Sequence, residues 1–319
     1  GSKISRCWPV MRACSFLFPG QGAQYVGMGR DLVERFSEAL ALLPRAESLL
    51  GLPLREVMFF GPEERLNEDF ISQVSVYTVS CMVADILATR SIRAAALAPY
   101  SSGIYAAAYA AGVVDFETGL TLMREADRCI HAANTPGGMG VVLGLSLAEV
   151  ERLCDRVPGV VEVSIVNTNH QIIVSGERPA VDELLRRAVD AEALKADWLP
   201  AVAPYHCSLL APADKCLAKR IAENTMNEPH TAIISYIDHQ PLESAVEVAE
   251  LLAVQLRNQV GWVGVVEELV RQNLAPMIEI GPGQMLGRSV RWIHRQAQVQ
   301  YTETAAALED AVKSLKNGQ

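Results

Sequence analysis

A chain of 319 residues can bury a large core and has room for two units. Half of its residues are apolar, 20% are charged and 6% are aromatic, the make-up of an ordinary globular enzyme or binding protein. A net charge of −9 argues against nucleic acid as a general partner. No apolar run approaches the roughly 18 residues of a membrane span, so no membrane partner is expected. Gly1-Ser2 reads as a cloning remnant, and neither a signal-type apolar stretch nor a cleavage site follows it. The cysteines (Cys7, Cys14, Cys81, Cys129, Cys154, Cys207 and Cys216) form no C-x-x-C pair, so free thiols in a reducing cytoplasm are expected.

In chain order, Cys14–Phe18 reads as a short apolar strand running into Pro19-Gly20-Gln21-Gly22-Ala23-Gln24. The glycine spacing is not G-x-G-x-x-G and no Lys-Ser/Thr follows, so a tight loop offering backbone and amide donors fits better than a nucleotide cradle. Val74–Thr89 has the periodicity of a buried helix. From Ala94 a small-residue apolar run ends at Pro99-Tyr100-Ser101-Ser102-Gly103, and an alanine-rich helix begins. Strand, sharp turn and helix with a hydroxyl at the apex match a nucleophile elbow, although Pro99 stands where its first glycine belongs. Taken alone, Ser-Ser-Gly ahead of alanines also reads as an ordinary helix cap.

Asp115 caps the next helix. Its apolar stripe uses Phe116, Leu120 and Met123 and then meets Arg124. A guanidinium on a mostly buried face must find an anion, either a ligand or Asp127 at (i, i+3). After Pro136-Gly137-Gly138 the predicted order is strand Met139–Leu145, helix Leu147–Arg156, strands Val160–Val166 and Gln171–Ser175, helix Pro179–Ala193 and strand Trp198–Ala203. That βαββαβ order is the ferredoxin-like signature. His206 follows directly in Pro204-Tyr205-His206-Cys207-Ser208, where a general base could be held; a strand-end histidine can equally be structural. Ala249–Asn258 reads as helix and Pro276–Ile280 as a strand ending in Gly281-Pro282-Gly283. A helix bearing Arg288, Arg291 and Arg295 comes next.

Four stretches together resemble the malonyl-CoA:acyl-carrier-protein transacylase family over nearly the whole chain from about Cys14. They are Phe16-Leu17-Phe18-Pro19-Gly20-Gln21-Gly22-Ala23-Gln24; Ser101-Ser102-Gly103-Ile104-Tyr105 with Gly112-Val113-Val114-Asp115-Phe116; Tyr205-His206-Cys207-Ser208-Leu209; and Glu279-Ile280-Gly281-Pro282-Gly283. The resemblance implies an α/β fold: an α/β-hydrolase-like large domain (residues 13–134 and 204–319) with an inserted ferredoxin-like small domain (135–203). It implies transfer of a malonyl or related carboxyacyl group from an acyl-CoA donor to an acyl carrier protein, with no metal or redox cofactor, in a cytoplasmic enzyme expected to be a monomer. Ser101 would be the nucleophile and His206 its base, with the Gln255 carbonyl orienting the ring. Gln21 and Ser102 would form the oxyanion hole, and Arg124 would grip the acyl carboxylate. Tyr100 and Tyr205 would line the acyl pocket.

The family usually has Gly-His-Ser-x-Gly-Glu at the elbow, where this chain has Pro99, Tyr100 and Ile104. These departures leave acyl selectivity, and the split between transfer and hydrolysis, open. The rivals are a transacylase of a polyketide or malonate decarboxylase system, an acyl-thioester hydrolase, and a non-catalytic carrier-binding module. Acidic carrier proteins need a basic dock, for which Arg186, Arg187 and Lys195 on the small domain and Arg288 and Arg291 after Gly283 are the candidates.

Overall fold

The structure, a computed structural model, describes residues 13–317; Gly1-Ser2 and Cys7 lie outside them. Among the described residues the strands are β1 (Ser15–Phe18), β2 (Ala96–Pro99), β3 (Gly138–Leu143), β4 (Val161–Thr168), β5 (Gln171–Gly176), β6 (Lys195–Leu199), β7 (Ile233–Ile234), β8 (Pro241–Leu242), β9 (Met277–Glu279) and β10 (Val299–Tyr301). Every residue of β1 and β2 is buried. Such unbroken runs suit a parallel sheet covered on both faces. They pair in parallel, Ser15 opposite Ala96 through Phe18 opposite Pro99, inside a sheet ordered β10-β9-β1-β2-β7-β8. Only β8 runs antiparallel to its neighbour in that sheet. The chain leaves β1 toward β2 on one side and fills the other side later with β9. In open α/β sheets, ligands bind outside the carboxyl ends of the strands at such a switch.

The long helix covering this sheet is Asp69–Thr89, beginning five residues ahead of the expected Val74. It is long and apolar enough to cross a membrane by length and composition, which corrects the reading that no stretch qualifies. However, 78% of its most apolar window is buried inside the protein. Two of its hydroxyls bond within the helix: Ser72 to the Asp69 carbonyl at 2.8 Å and Thr78 to the Val74 carbonyl at 2.7 Å.

Strands β3–β6 form a separate antiparallel sheet ordered β4-β5-β3-β6, with helices Leu147–Cys154 and Arg178–Asp190 packed on it. Val142, Val150, Ile172, Val174 and Leu184 make its own core. The first of these helices starts with a Ser146/Glu149 capping box and the second with Pro179 in its first turn, both strong start signals. The last strand is Lys195–Leu199, not Trp198–Ala203. Its residues are all half-buried or exposed, so it carries no apolar alternation and is fixed only by pairing with β3. The chain is therefore an α/β fold, an α/β-hydrolase-like parallel sheet with a ferredoxin-like antiparallel sheet between β2 and β7. β4 meets the segment ahead of helix Trp262–Arg271 where the Val166 N–H donates to the Val260 carbonyl and the Val260 N–H to the Ser164 carbonyl, both at 2.9 Å.

The free-thiol expectation is corrected at one pair. Cys129 and Cys216 are disulfide-bonded, with Cα atoms 5.6 Å apart across helices Phe116–Ala133 and Ala211–Ala222. They lie 87 residues apart, so no spacing rule could pair them. Cys14, Cys81, Cys154 and Cys207 remain thiols.

Candidate active site

β2 stops at Pro99, and the Tyr100 N–H carries the pairing one residue further, onto the Phe18 carbonyl at 2.9 Å. The chain then turns sharply at Ser101, whose φ is +51°, before helix Gly103–Ala110 begins. A left-handed serine persists only where its surroundings over-determine it. Here they do, because the helix starts hard against β1: a Cβ at Gly103 would sit 2.1 Å from the Phe18 carbonyl oxygen. The elbow thus forms with proline in place of its first glycine, and the second glycine is the one that packing requires.

Opposite the turn, His206 is 4% exposed and also left-handed, with φ +59°. Its Nε2 lies 2.7 Å from Ser101 Oγ. Its Nδ1 lies 2.9 Å from the Gln255 carbonyl and 3.0 Å from that of Asn258. Carbonyls only accept, so Nδ1 carries the proton and Nε2 is left free to take one from the serine. Helix Ala245–Val254 ends before Gln255, short of the expected Asn258, and the carbonyls released by that unwinding hold the ring. The loop is braced in turn: Gln255 Nε2 donates to Tyr105 Oη at 2.7 Å, and the Leu256 N–H to buried Asp214 at 3.1 Å.

Burial pushes the His206 imidazole down to about 4, against the opposing pull of the two carbonyls. It is therefore neutral near pH 7 and able to act as a base. The base is present above its folded value and lost as pH falls through it. The acid limb of Ser101 acylation is expected near pH 4, and a limb near 6.5 in a stopped-flow pH series would contradict this. The unfolded chain binds the proton more readily. The histidine's contribution to stability is accordingly intact above about 6.5 and shrinks as pH drops toward 4.

The Pro19–Gln24 loop lies over the elbow. A Cβ at Gly20 would come within 2.8 Å of the Tyr100 carbonyl and 2.9 Å of Ser102 Oγ, so only glycine allows that approach. Among the described residues, neither the Gln21 nor the Ser102 N–H donates a backbone hydrogen bond. Arg124, half-buried, donates from Nη1 to the Leu49 carbonyl at 3.0 Å, and its buried Nε has no partner. Asp127 faces His131 at 3.4 Å, so the intrahelical pair left open by the sequence does not form. Tyr100 is buried, its Oη on Asn167 at 2.6 Å and its ring edge-on to Trp262. Tyr205 donates to Asp69 at 3.0 Å. A cleft of about 560 Å³ opens beside Tyr100, lined by Gly22, Asn167, Arg288 and Trp292 among others.

The two basic clusters differ. Arg186 is paired with Glu183 at 2.8 Å and Asp190 at 2.9 Å, Arg187 with Glu183 at 2.6 Å, and Lys195 with Asp197 at 3.3 Å. Among the described residues Arg288 and Arg291 make no ion pair, and Arg291 lies over the Tyr301 ring. Their helix, Met285–Ile293, is anchored by buried Glu279, which accepts from the Leu286 and Gly287 N–H groups at 3.0 and 2.8 Å. Burial pushes the Glu279 carboxyl up to about 7. Trp292, 82% exposed on the same helix, escaped the sequence reading, as did Asn258, Asp69 and Asn167. Asn258 alone left a signal, three residues past Gln255 at the end of the expected helix.

The family model "Acyl transferase domain" matches residues 15–313. The malonyl CoA-acyl carrier protein transacylase of Escherichia coli (strain K12) is 30% identical over 308 residues, spanning 94% of this chain and 100% of the relative. That of Bacillus subtilis (strain 168) is 27% identical, spanning 96% and 98%. Among solved structures, the transacylase of the same name from Coxiella burnetii superposes with a TM-score of 0.91 at 29% identity, covering 96% of this chain and 98% of that one. A type II PKS acyl-carrier protein in complex with its malonyl-transacylase matches at 0.91 and 28%, covering 95% and 99%.

Proposed function

Because the chain belongs to the acyl transferase domain family and is an acyltransferase, we propose that it moves a malonyl group from coenzyme A to the phosphopantetheine thiol of an acyl carrier protein through an ester on Ser101. The observation that carries this reading is the 2.7 Å contact between Ser101 Oγ and a neutral His206 whose other nitrogen is held by two carbonyls.

In the first half-reaction, Ser101 Oγ attacks the thioester carbonyl carbon and its proton passes to His206 Nε2. The oxyanion is received by the Gln21 and Ser102 N–H groups, donors preset in a turn and at a helix start. The carbon–sulfur bond breaks and the departing sulfur takes the proton from His206. The second half runs in reverse: the carrier thiol gives its proton to His206, attacks the ester, and Ser101 recovers its hydrogen. The unpartnered Arg124 Nε supports a role in gripping the malonyl carboxylate. Tyr100 and buried Ile104 shape the acyl side of the pocket in place of the residues usual at the elbow, and Tyr205, just before the base, lines it as well. We read residues 13–134 and 204–319 as the large acyltransferase domain and 135–203 as a small domain inserted in it. A cytoplasmic location fits an enzyme whose donor is a coenzyme A thioester.

For the carrier, the unpaired charges count most. Arg291→Glu is expected to raise KM for the carrier protein several-fold and to flatten its salt dependence. Arg186→Glu should do much less, since two carboxylates already answer that charge. Steady-state assays over a salt series check this; a larger effect at Arg186 than at Arg291 would move the dock to the small domain.

A further inference from the structure

Resting on the acyl-transfer reading, we propose that Asp69 is a positioning residue: a buried carboxylate that locks the oxyanion loop and the segment leading into His206 against one another. Asp69 opens the Asp69–Thr89 helix and is 6% exposed. Its Oδ1 accepts from Gln21 Nε2 at 2.7 Å. Its Oδ2 accepts from the Val202 N–H and from Tyr205 Oη, both at 3.0 Å. Gln21 carries one of the two oxyanion N–H groups, and Tyr205 immediately precedes the base. One side chain therefore touches both halves of the machinery, which lie 48 and 136 residues away along the chain.

The surroundings extend the clamp. One turn along the helix, Gln73 Nε2 donates to Gln21 Oε1 at 3.1 Å. Just before it, Asn67 accepts from Gln24 Nε2 at 2.9 Å, so the helix start holds the loop at both ends. Val202 lies on the return from β6 to His206, and the same carboxylate fixes where that return ends. The donors that meet the Asp69 carboxylate are all neutral, an amide, a backbone N–H and a phenol, and it stands in the first turn of its helix, at the amino terminus. A buried carboxylate is costly to keep, and a neutral residue could pack this site. What only a carboxylate offers is acceptance on both oxygens. An amide would point its NH₂ at donors on one side and release either Gln21 or the Val202–Tyr205 pair. Oxyanion donors act only within a few tenths of an ångström of their required place, so the loss should fall on the chemical step.

The test is single-turnover formation of malonyl-enzyme, followed by intact mass, in the full chain and in Asp69→Asn, Tyr205→Phe and the double variant. Asp69→Asn is expected to slow acylation about tenfold or more while the malonyl-CoA concentration for half-maximal rate stays within about twofold. Tyr205→Phe should cost a few-fold, and in the double variant the two losses should not add, because both act through the one side chain at position 69. Asp69→Asn acylating at the wild-type rate, or losing rate and affinity in equal measure, would overturn the proposal. Should Asp69→Asn fail to fold, Tyr205→Phe decides alone: a wild-type rate there contradicts the clamp. An unmodified chain that forms no adduct at all would instead sink the acyl-transfer reading on which the proposal rests.

Discussion

Alanine at His206 is expected to cut the rate of Ser101 acylation by about ten-thousand-fold, and alanine at Ser101 to remove the malonyl adduct altogether. The two side chains act as a unit. Without His206 the serine proton has no acceptor, since Nε2 is the only base within hydrogen-bond reach of Oγ among the described residues. Without Ser101 the imidazole remains neutral and held, but has nothing to activate. The losses should not add, so the double variant should be little worse than either single one. Alanine at Asn258 is a subtler matter, because it is the backbone carbonyl that holds the ring; a side-chain change there should leave most of the rate in place. Quench-flow measurement of adduct formation separates these cases. An adduct that survives Ser101→Ala and vanishes in Ser102→Ala would assign the chemistry to the neighbouring serine.

Arg124→Ala is expected to weaken malonyl transfer by roughly 2–5 kcal/mol in kcat/KM, each 1.4 kcal/mol being about tenfold, while acetyl transfer changes far less. The side chain makes one hydrogen bond, to the Leu49 carbonyl, and leaves a buried nitrogen unused. A bidentate guanidinium with donors to spare is suited to a carboxylate and has no use for a methyl group. Comparing the two donors in one assay cancels any general loss of stability. Equal losses for malonyl and acetyl groups would make Arg124 a support for the Leu49 segment and remove it from the pocket.

The Ser101–His206 contact was legible because its signals are local. Ser101, Gly103 and the alanine run lie within one turn and one helix, and His206 sits at the edge of a βαββαβ unit whose order survives in the structure. What was not legible depends on distant chain. Asp69 reads as one acid ahead of a helix, and its three donors arrive from two far segments. The Cys129–Cys216 bond needs two helices packed side by side. The strand at Lys195–Leu199 has no apolar face and exists only because β3 offers it an edge. One feature could have been read and was not: Glu183 and Asp190 stand three and four residues from Arg186, the spacing at which helical ion pairs form. Those arginines were therefore half neutralised before any partner approached.

The central claim is that a malonyl group waits on Ser101 for a carrier thiol and not for water. The direct measurement loads the protein with malonyl-CoA, removes free coenzyme, and follows the adduct on the Ser101 peptide by mass, with and without phosphopantetheinylated carrier protein. The expected result is an adduct stable in buffer and discharged promptly onto the carrier when it is added. Rapid decay in buffer alone, unchanged by the carrier, would make the protein a thioester hydrolase and contradict the transfer mechanism.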